Sequence, residues 1–254
     1  MARLGVVIVS VVSLVGCGGD DLPTTKDSSA TTALRAGAEA VRSAKTVRAS
    51  FKVKLSEGGL LTGKAETVVD LATSFSYTFR NDMVPTSDID GTAVAEADRA
   101  YLRSSRWKPP AGKQWFEVGR SAGGKLDEPV QGDWLAVAMS WLWDPSFLLD
   151  QGLSEVERIE SAVDASVPGA TVRYDVDVFV EHERLGQELT AWAKQTGGST
   201  FGVVLWTDED NRPVRLKVKS STAYMLFDAD VTFTDYGAPV QVIVPPASKV
   251  APVR

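Results

Sequence analysis

The chain has 254 residues, 44% of them hydrophobic and 24% charged, with a formal net charge of −6 and a single cysteine. The acidic balance, with no block of Lys and Arg, excludes the phosphate neutralisation that holds nucleic acid and the basic cluster that holds anionic lipid headgroups. One cysteine excludes an internal disulfide.

In chain order, an apolar run over residues 4–16 stops at that cysteine, and Leu14-Val15-Gly16-Cys17 reads as a lipobox. Arg3 supplies the positive n-region, residues 4–12 the apolar h-region of roughly 7–15 residues, and Gly16 the small residue before the cut. The run falls short of the roughly 20 apolar residues that span a bilayer. Residues 1–16 are therefore expected to be a lipoprotein signal peptide. Cys17 is expected to be the lipidation site, carrying diacylglycerol and further fatty acyl chains of the palmitate kind, since several chains anchor stably where one is marginal. Residues 17–30 are polar and rich in Ser and Thr, the composition of a flexible tether. Residues 31–254 are expected to form a single β-rich domain, large enough to bury a sizeable core. The expected location is the outer face of a cell membrane, on its periplasmic or extracellular side.

Residues 30–45 are rich in Ala and place Leu34, Ala38, Val41 and Lys45 at helical spacing, which predicts an N-terminal helix. Val47, Ala49, Phe51, Val53 and Leu55 then alternate with Arg48, Ser50, Lys52 and Lys54, the pattern of a half-buried antiparallel strand turning at Gly58-Gly59. Residues 61–71 and 75–79 continue the meander, and weaker strands follow over 91–97, 100–104 and 114–118. In the middle, Trp134, Val137, Ala138, Trp141 and Leu142 stand three and four apart before Asp144-Pro145, predicting an apolar helix over 133–143 that stops at the proline. A short helical turn is expected over 145–151, and residues 155–163 fit strand and helix equally. Period two returns over 171–180, a helix over 183–195 closes at Gly197-Gly198, and strands are predicted over 201–207, 212–220, 223–235 and 239–244. The sum is an α+β fold with about ten antiparallel strands and about three helices.

The inward strand positions Phe51, Val53, Phe75, Tyr77, Val176, Val178, Val218 and Phe227 define one apolar face, which also holds small residues such as Gly63, Ala65, Gly91, Ala93, Ala95, Ala223 and Ala229. If helices cover this face tightly, bulky residues such as Trp134, Trp141 and Trp143 fill the space over the small ones; if the cover is loose, a dry cavity remains. Pattern alone favours the packed face. Trp134, Trp141 and Leu142 are the cover residues expected to contact whatever enters a cavity, and to gate it.

Two catalytic patterns fail on context. Gly58-Gly59-Leu60-Leu61-Thr62-Gly63-Lys64-Ala65 has the glycines and lysine of a phosphate loop, but it lacks the following Ser or Thr and joins two strands. Gly119-Arg120-Ser121-Ala122-Gly123 fits G-x-S-x-G, yet the helix that a nucleophile elbow requires is replaced by a loop at Gly124-Lys125. His182 is the sole histidine and sits between Glu181 and Glu183, too few ligands for a metal centre. Asp175 and Asp177 fall on the outward side of their strand. No catalytic residue, metal or cofactor is expected.

A family resemblance bears on the cavity. Asp98-Arg99-Ala100-Tyr101-Leu102 followed by Gly112-Lys113-Gln114-Trp115-Phe116-Glu117-Val118 resembles the strand pair of actinobacterial, mycobacterial-type lipoproteins of the LppX/LprG kind. Asp144-Pro145-Ser146-Phe147-Leu148-Leu149, Gly169-Ala170-Thr171-Val172-Arg173-Tyr174, Val204-Leu205-Trp206-Thr207-Asp208, and Phe233-Thr234-Asp235-Tyr236-Gly237-Ala238 with Val244-Pro245-Pro246 follow in the same order. The resemblance implies a half-open antiparallel β-barrel similar to LolA and LolB, with helices on its concave face. It also implies an apolar cavity that binds or carries the acyl chains of lipids or lipoglycans, with no chemical step. A monomer is expected, anchored to the membrane through acylated Cys17, with an envelope transporter as a candidate partner. The competing reading is a structural or regulatory envelope lipoprotein with a filled core that binds a protein partner.

Overall fold

The computed structural model describes residues 28–55, 58–81, 88–96, 99–106, 108–119, 143–149, 159–163, 166–179, 200–221 and 226–252. Helix α1 (Ser28–Ala44) opens inside the stretch assigned to the tether and buries Ala30, Leu34, Ala38 and Val41, the single apolar stripe that its spacing predicts. It stops at Lys45, whose left-handed backbone (φ 67°) turns its N–H back onto the carbonyls of Val41 and Arg42.

Strands β1 (Thr46–Leu55), β2 (Gly59–Val68), β3 (Ala72–Asn81), β4 (Ile89–Ala95), β5 (Arg99–Ser104) and β6 (Trp115–Gly119) form one antiparallel meander. A second comprises β7 (Ile159–Val163), β8 (Val172–Phe179), β9 (Thr200–Thr207), β10 (Pro213–Ser221) and β11 (Leu226–Thr234). The antiparallel β1–β11 ladder joins the two, with Phe51 opposite Val231 and Val53 opposite Ala229. Strand β12 (Val250–Pro252) then pairs in parallel with β6, giving a twelve-stranded sheet in the order β12-β6-β5-β4-β3-β2-β1-β11-β10-β9-β8-β7. Its outer strands, β12 and β7, do not pair with each other, so the sheet is open. Twisted sheets of this size curl rather than stay flat.

Among the described residues, twelve strands replace the expected ten or so. Of the stretch 155–163, which fitted both states, Ile159–Val163 is a strand against β8. Residues 239–244, predicted as a strand, form none; they belong to a strap whose contacts pass from β1 and β2 toward β6. Thr46 Oγ1 donates to the Ala238 carbonyl at 2.7 Å, the Arg48 guanidinium to the Pro239 carbonyl at 2.8 Å, and the Gln241 N–H to Glu66 at 3.1 Å. Val242 and Val250 pack with Val94, Tyr101 and Trp115 in a small second cluster. The strap ends in a 3-10 turn (Ala247–Lys249) that leads into β12.

Helices also differ from expectation. Among the described residues α1 is the one long helix, accompanied by the single turn α2 (Pro145–Phe147), where about three were expected. The predicted helix over 183–195, and that over 133–143 apart from Trp143, lie outside the described residues.

Candidate ligand-binding face

The face of the sheet beneath α1 is apolar from β8 to β5 because the strands keep their period-two register. Tyr174, Leu205, Leu216, Val231, Phe51, Gly63, Tyr77 and Gly91 lie opposite one another in a single row across eight strands. Neighbouring rows add Val176, Val203, Val218, Ala229, Val53 and Leu61 on one side and Phe233, Ala49, Ala65, Phe75, Ala93 and Leu102 on the other. All these side chains except the two glycines belong to one buried cluster, together with Leu34, Ala38 and Val41 of α1. No charged side chain is buried among the described residues.

Of the positions singled out from sequence, Phe51, Val53, Ala65, Phe75, Tyr77, Ala95, Val176 and Val218 are all brought together in this cluster. Val178 and Phe227 hold the same backbone register on β8 and β11, opposite Phe201 and Leu55. Trp134, Trp141, Leu142 and Cys17 lie outside the described residues, as do Ser121 and His182. Apart from Gly58, the glycine and lysine run of the phosphate-loop match lies in β2, where Lys64 pairs with Ser50 in the ladder.

The small inward glycines are filled from within the sheet. A Cβ on Gly63 would collide with the Phe51 ring and the Ser76 carbonyl, and one on Gly91 with the Tyr77 ring. Each glycine thus accommodates the aromatic ring opposite it, and aromatic residue and glycine alternate across β1 to β4 as Phe51, Gly63, Tyr77, Gly91.

Trp143 completes the face. Its ring stacks on Phe51 at 3.9 Å between centroids and meets Phe75 edge-on at 6.4 Å, and it is fully buried. Such aromatic pairs contribute roughly 0.5–1.5 kcal/mol beyond the area they bury. The backbone around Trp143 is fixed on both sides. Its carbonyl accepts from Thr67 Oγ1 at 3.3 Å, and the next residue, Asp144, caps α2 by accepting from the Ser146 N–H at 3.0 Å. Buried Ser146 lies with its hydroxyl 3.1 Å from Asp70 in the β2–β3 turn, and Arg42 of α1 donates to the same carboxylate at 3.0 Å. Leu148 and Leu149 follow α2 into the core. The sequence names Trp143 only as one of three bulky cover residues; the signal that sets it apart is the Asp144-Pro145-Ser146 cap beside it.

Two buried side-chain atoms of this face lack a hydrogen-bond partner among the described residues, Trp143 Nε1 and, two residues beyond Leu205 on β9, Thr207 Oγ1. For a neutral donor such as Trp143 Nε1 that state costs roughly 1–3 kcal/mol.

The opposite face is polar and cross-linked. Arg215 forms a two-pronged pair with Asp230 at 2.6 and 2.9 Å, and Arg173 pairs with half-buried Asp175 at 2.7 Å. Trp206 belongs here, buried beneath the Arg173 and Arg215 guanidiniums at 5.7 and 5.8 Å. At the strap, the Gln241 N–H and then Arg48 hold the Glu66 carboxyl below its ordinary range, and Arg48 also reaches Asp235 at 3.5 Å. Where the strap leaves β11, the Tyr236 hydroxyl donates to the Pro213 carbonyl at 2.8 Å, and burial pushes its pKa well above the ordinary value.

No protein-family model matches the chain, and no curated protein matches its sequence. Among solved structures, the crystal structure of the lipoprotein LppX of Mycobacterium tuberculosis matches over 86% of this chain and 100% of that one, with a TM-score of 0.50 and 10% identity. A LolA-superfamily protein from Nitrosomonas europaea matches over 81% of this chain and 95% of that one, at a TM-score of 0.33 and 6% identity. The expected kind of fold is borne out: an open, mostly antiparallel sheet similar to that of LppX.

Proposed function

We propose that the chain is a membrane-anchored envelope lipoprotein of the mycobacterial LppX/LprG type, whose inner face binds acyl chains of a lipid or lipoglycan during transfer, with no chemical step. The observation that carries this reading is the continuous apolar face of an open sheet, in a fold shared with a lipoprotein. Ligand sites are concave and mostly apolar, with few polar groups, and this face has that composition. The Leu14-Val15-Gly16-Cys17 lipobox supports anchorage on the outer side of a membrane, with residues 1–16 removed.

A specific observation favours the second reading, a filled fold that presents a surface to an envelope protein. The Phe51–Trp143 stack and the rings over Gly63 and Gly91 occupy part of the space that a ligand would need. Native mass spectrometry of residues 28–254, which begin with α1, separates the two after mild purification. The first reading expects co-purifying lipid, or uptake of added acyl lipid. A lipid-free protein that takes up none refutes it and leaves the second.

A further inference from the structure

Trp143 is fully buried, stacked on Phe51 and edge-on to Phe75, yet its indole N–H meets no acceptor among the described residues. Buried indole N–H groups ordinarily find an acceptor, because the donor loses water and gains nothing in return. Stacking alone does not call for tryptophan here, since phenylalanine would present an apolar ring to Phe51 without an orphaned donor. The backbone is not at fault either. The Trp143 carbonyl is satisfied by Thr67, and the adjoining turn is held by the Asp144 cap and by Ser146 against Asp70. The Trp143 N–H is thus a fixed donor on a face that is mostly apolar, whose buried polar side chains include the hydroxyls of Thr67, Thr73, Ser104 and Thr207.

We propose that Trp143 Nε1 is the specificity-determining donor of this face, recognising the carbonyl oxygen of an ester- or amide-linked acyl chain. The inference rests on the acyl-binding reading above and narrows its ligand class. An indole N–H donates and cannot accept, so it selects for an acceptor. An ester or amide carbonyl is a strong acceptor at the head of a hydrocarbon chain, an ether oxygen a weak one, and an alkane none. A free fatty acid is disfavoured for a different reason: its carboxylate would enter a face in which no described charged side chain is buried to pair with it. A site with a buried donor discriminates chiefly by penalising the ligand that leaves it unpaired.

The test compares dipalmitoylglycerol with its ether counterpart dihexadecylglycerol, each supplied in dodecylmaltoside micelles to the full chain labelled with 15N at its tryptophan indoles. The ester should bind on the order of tenfold more tightly, the effect of one neutral hydrogen bond. The Trp143 N–H resonance, identified by its loss in Trp143→Phe, should move downfield with the ester alone. Trp143→Phe should bind both lipids alike. Equal affinities in the unaltered chain, or a preference that survives in Trp143→Phe, overturn the inference while leaving acyl binding intact. Binding of neither lipid overturns both. If Trp143→Phe does not fold, the two affinities of the unaltered chain decide the matter by themselves.

Discussion

At Trp143 packing and polarity oppose each other, which makes its substitutions informative. The stacked ring buries a large apolar surface, while its N–H is left unpaired. Trp143→Ala should cost about 3–5 kcal/mol in urea unfolding through the cavity it leaves. Trp143→Phe should cost less than about 1 kcal/mol, because the lost area is offset by removal of a donor whose desolvation costs roughly 1–3 kcal/mol. A phenylalanine variant as damaging as alanine would mean that the N–H is paired. Gly63 tests the neighbouring contact. Gly63→Ala drives a methyl into the Phe51 ring and the Ser76 carbonyl, and it should destabilise by about 1–3 kcal/mol; a neutral result would place the Phe51 ring elsewhere. Small inward residues were legible in the sequence, as were the inward aromatics. Which ring fills which glycine was not, because it depends on the register between strands rather than on the pattern within one.

Among the elements, those with a clean period were readable and those held by distant partners were not. α1 and the strands containing Phe51, Tyr77, Val176 and Val218 follow from spacing alone, since each buries one face of a regular element. The strap does not, because its place is set by side chains far away in sequence: Arg48 and Glu66 hold Pro239 and Gln241. Nor was β12 readable, as three residues paired in parallel with β6 carry too little pattern. The strap clamp has a defined pH dependence. Because the folded state holds Glu66 below its ordinary value of 4.5, its contribution is fully present above that pH and is lost as pH falls through the lower folded value. Hydrogen exchange of residues 238–252, taken relative to the intrinsic rate at each pH, should therefore become faster below about pH 4.5 in the unaltered chain. Glu66→Gln should show that faster exchange already at neutral pH, with a flatter acid profile. Identical profiles in the two proteins would show that the strap is held by the valine and tryptophan contacts alone.

Across the whole molecule, the β1–β11 ladder makes one sheet of two meanders, and the core passes through that ladder without a break. The order of strands along the chain gave the meanders, whereas the pairing of the first strand with the penultimate one is a long-range choice that local pattern does not encode. Cys17 lies outside the described residues and ahead of α1, the first element of the sheet's core. Anchorage and folding should therefore separate cleanly. Cys17→Ala is expected to move the protein from the membrane to the soluble fraction on fractionation. Its unfolding midpoint is expected to stay that of the unaltered chain, because the buried core among the described residues is built from Ala30 onward. An uncleaved signal would also retain the variant, so the mass of the membrane-bound form must be read alongside. If a cleaved Cys17→Ala protein stays on the membrane, the acyl anchor is not what holds it there, and contact must come from the folded domain itself.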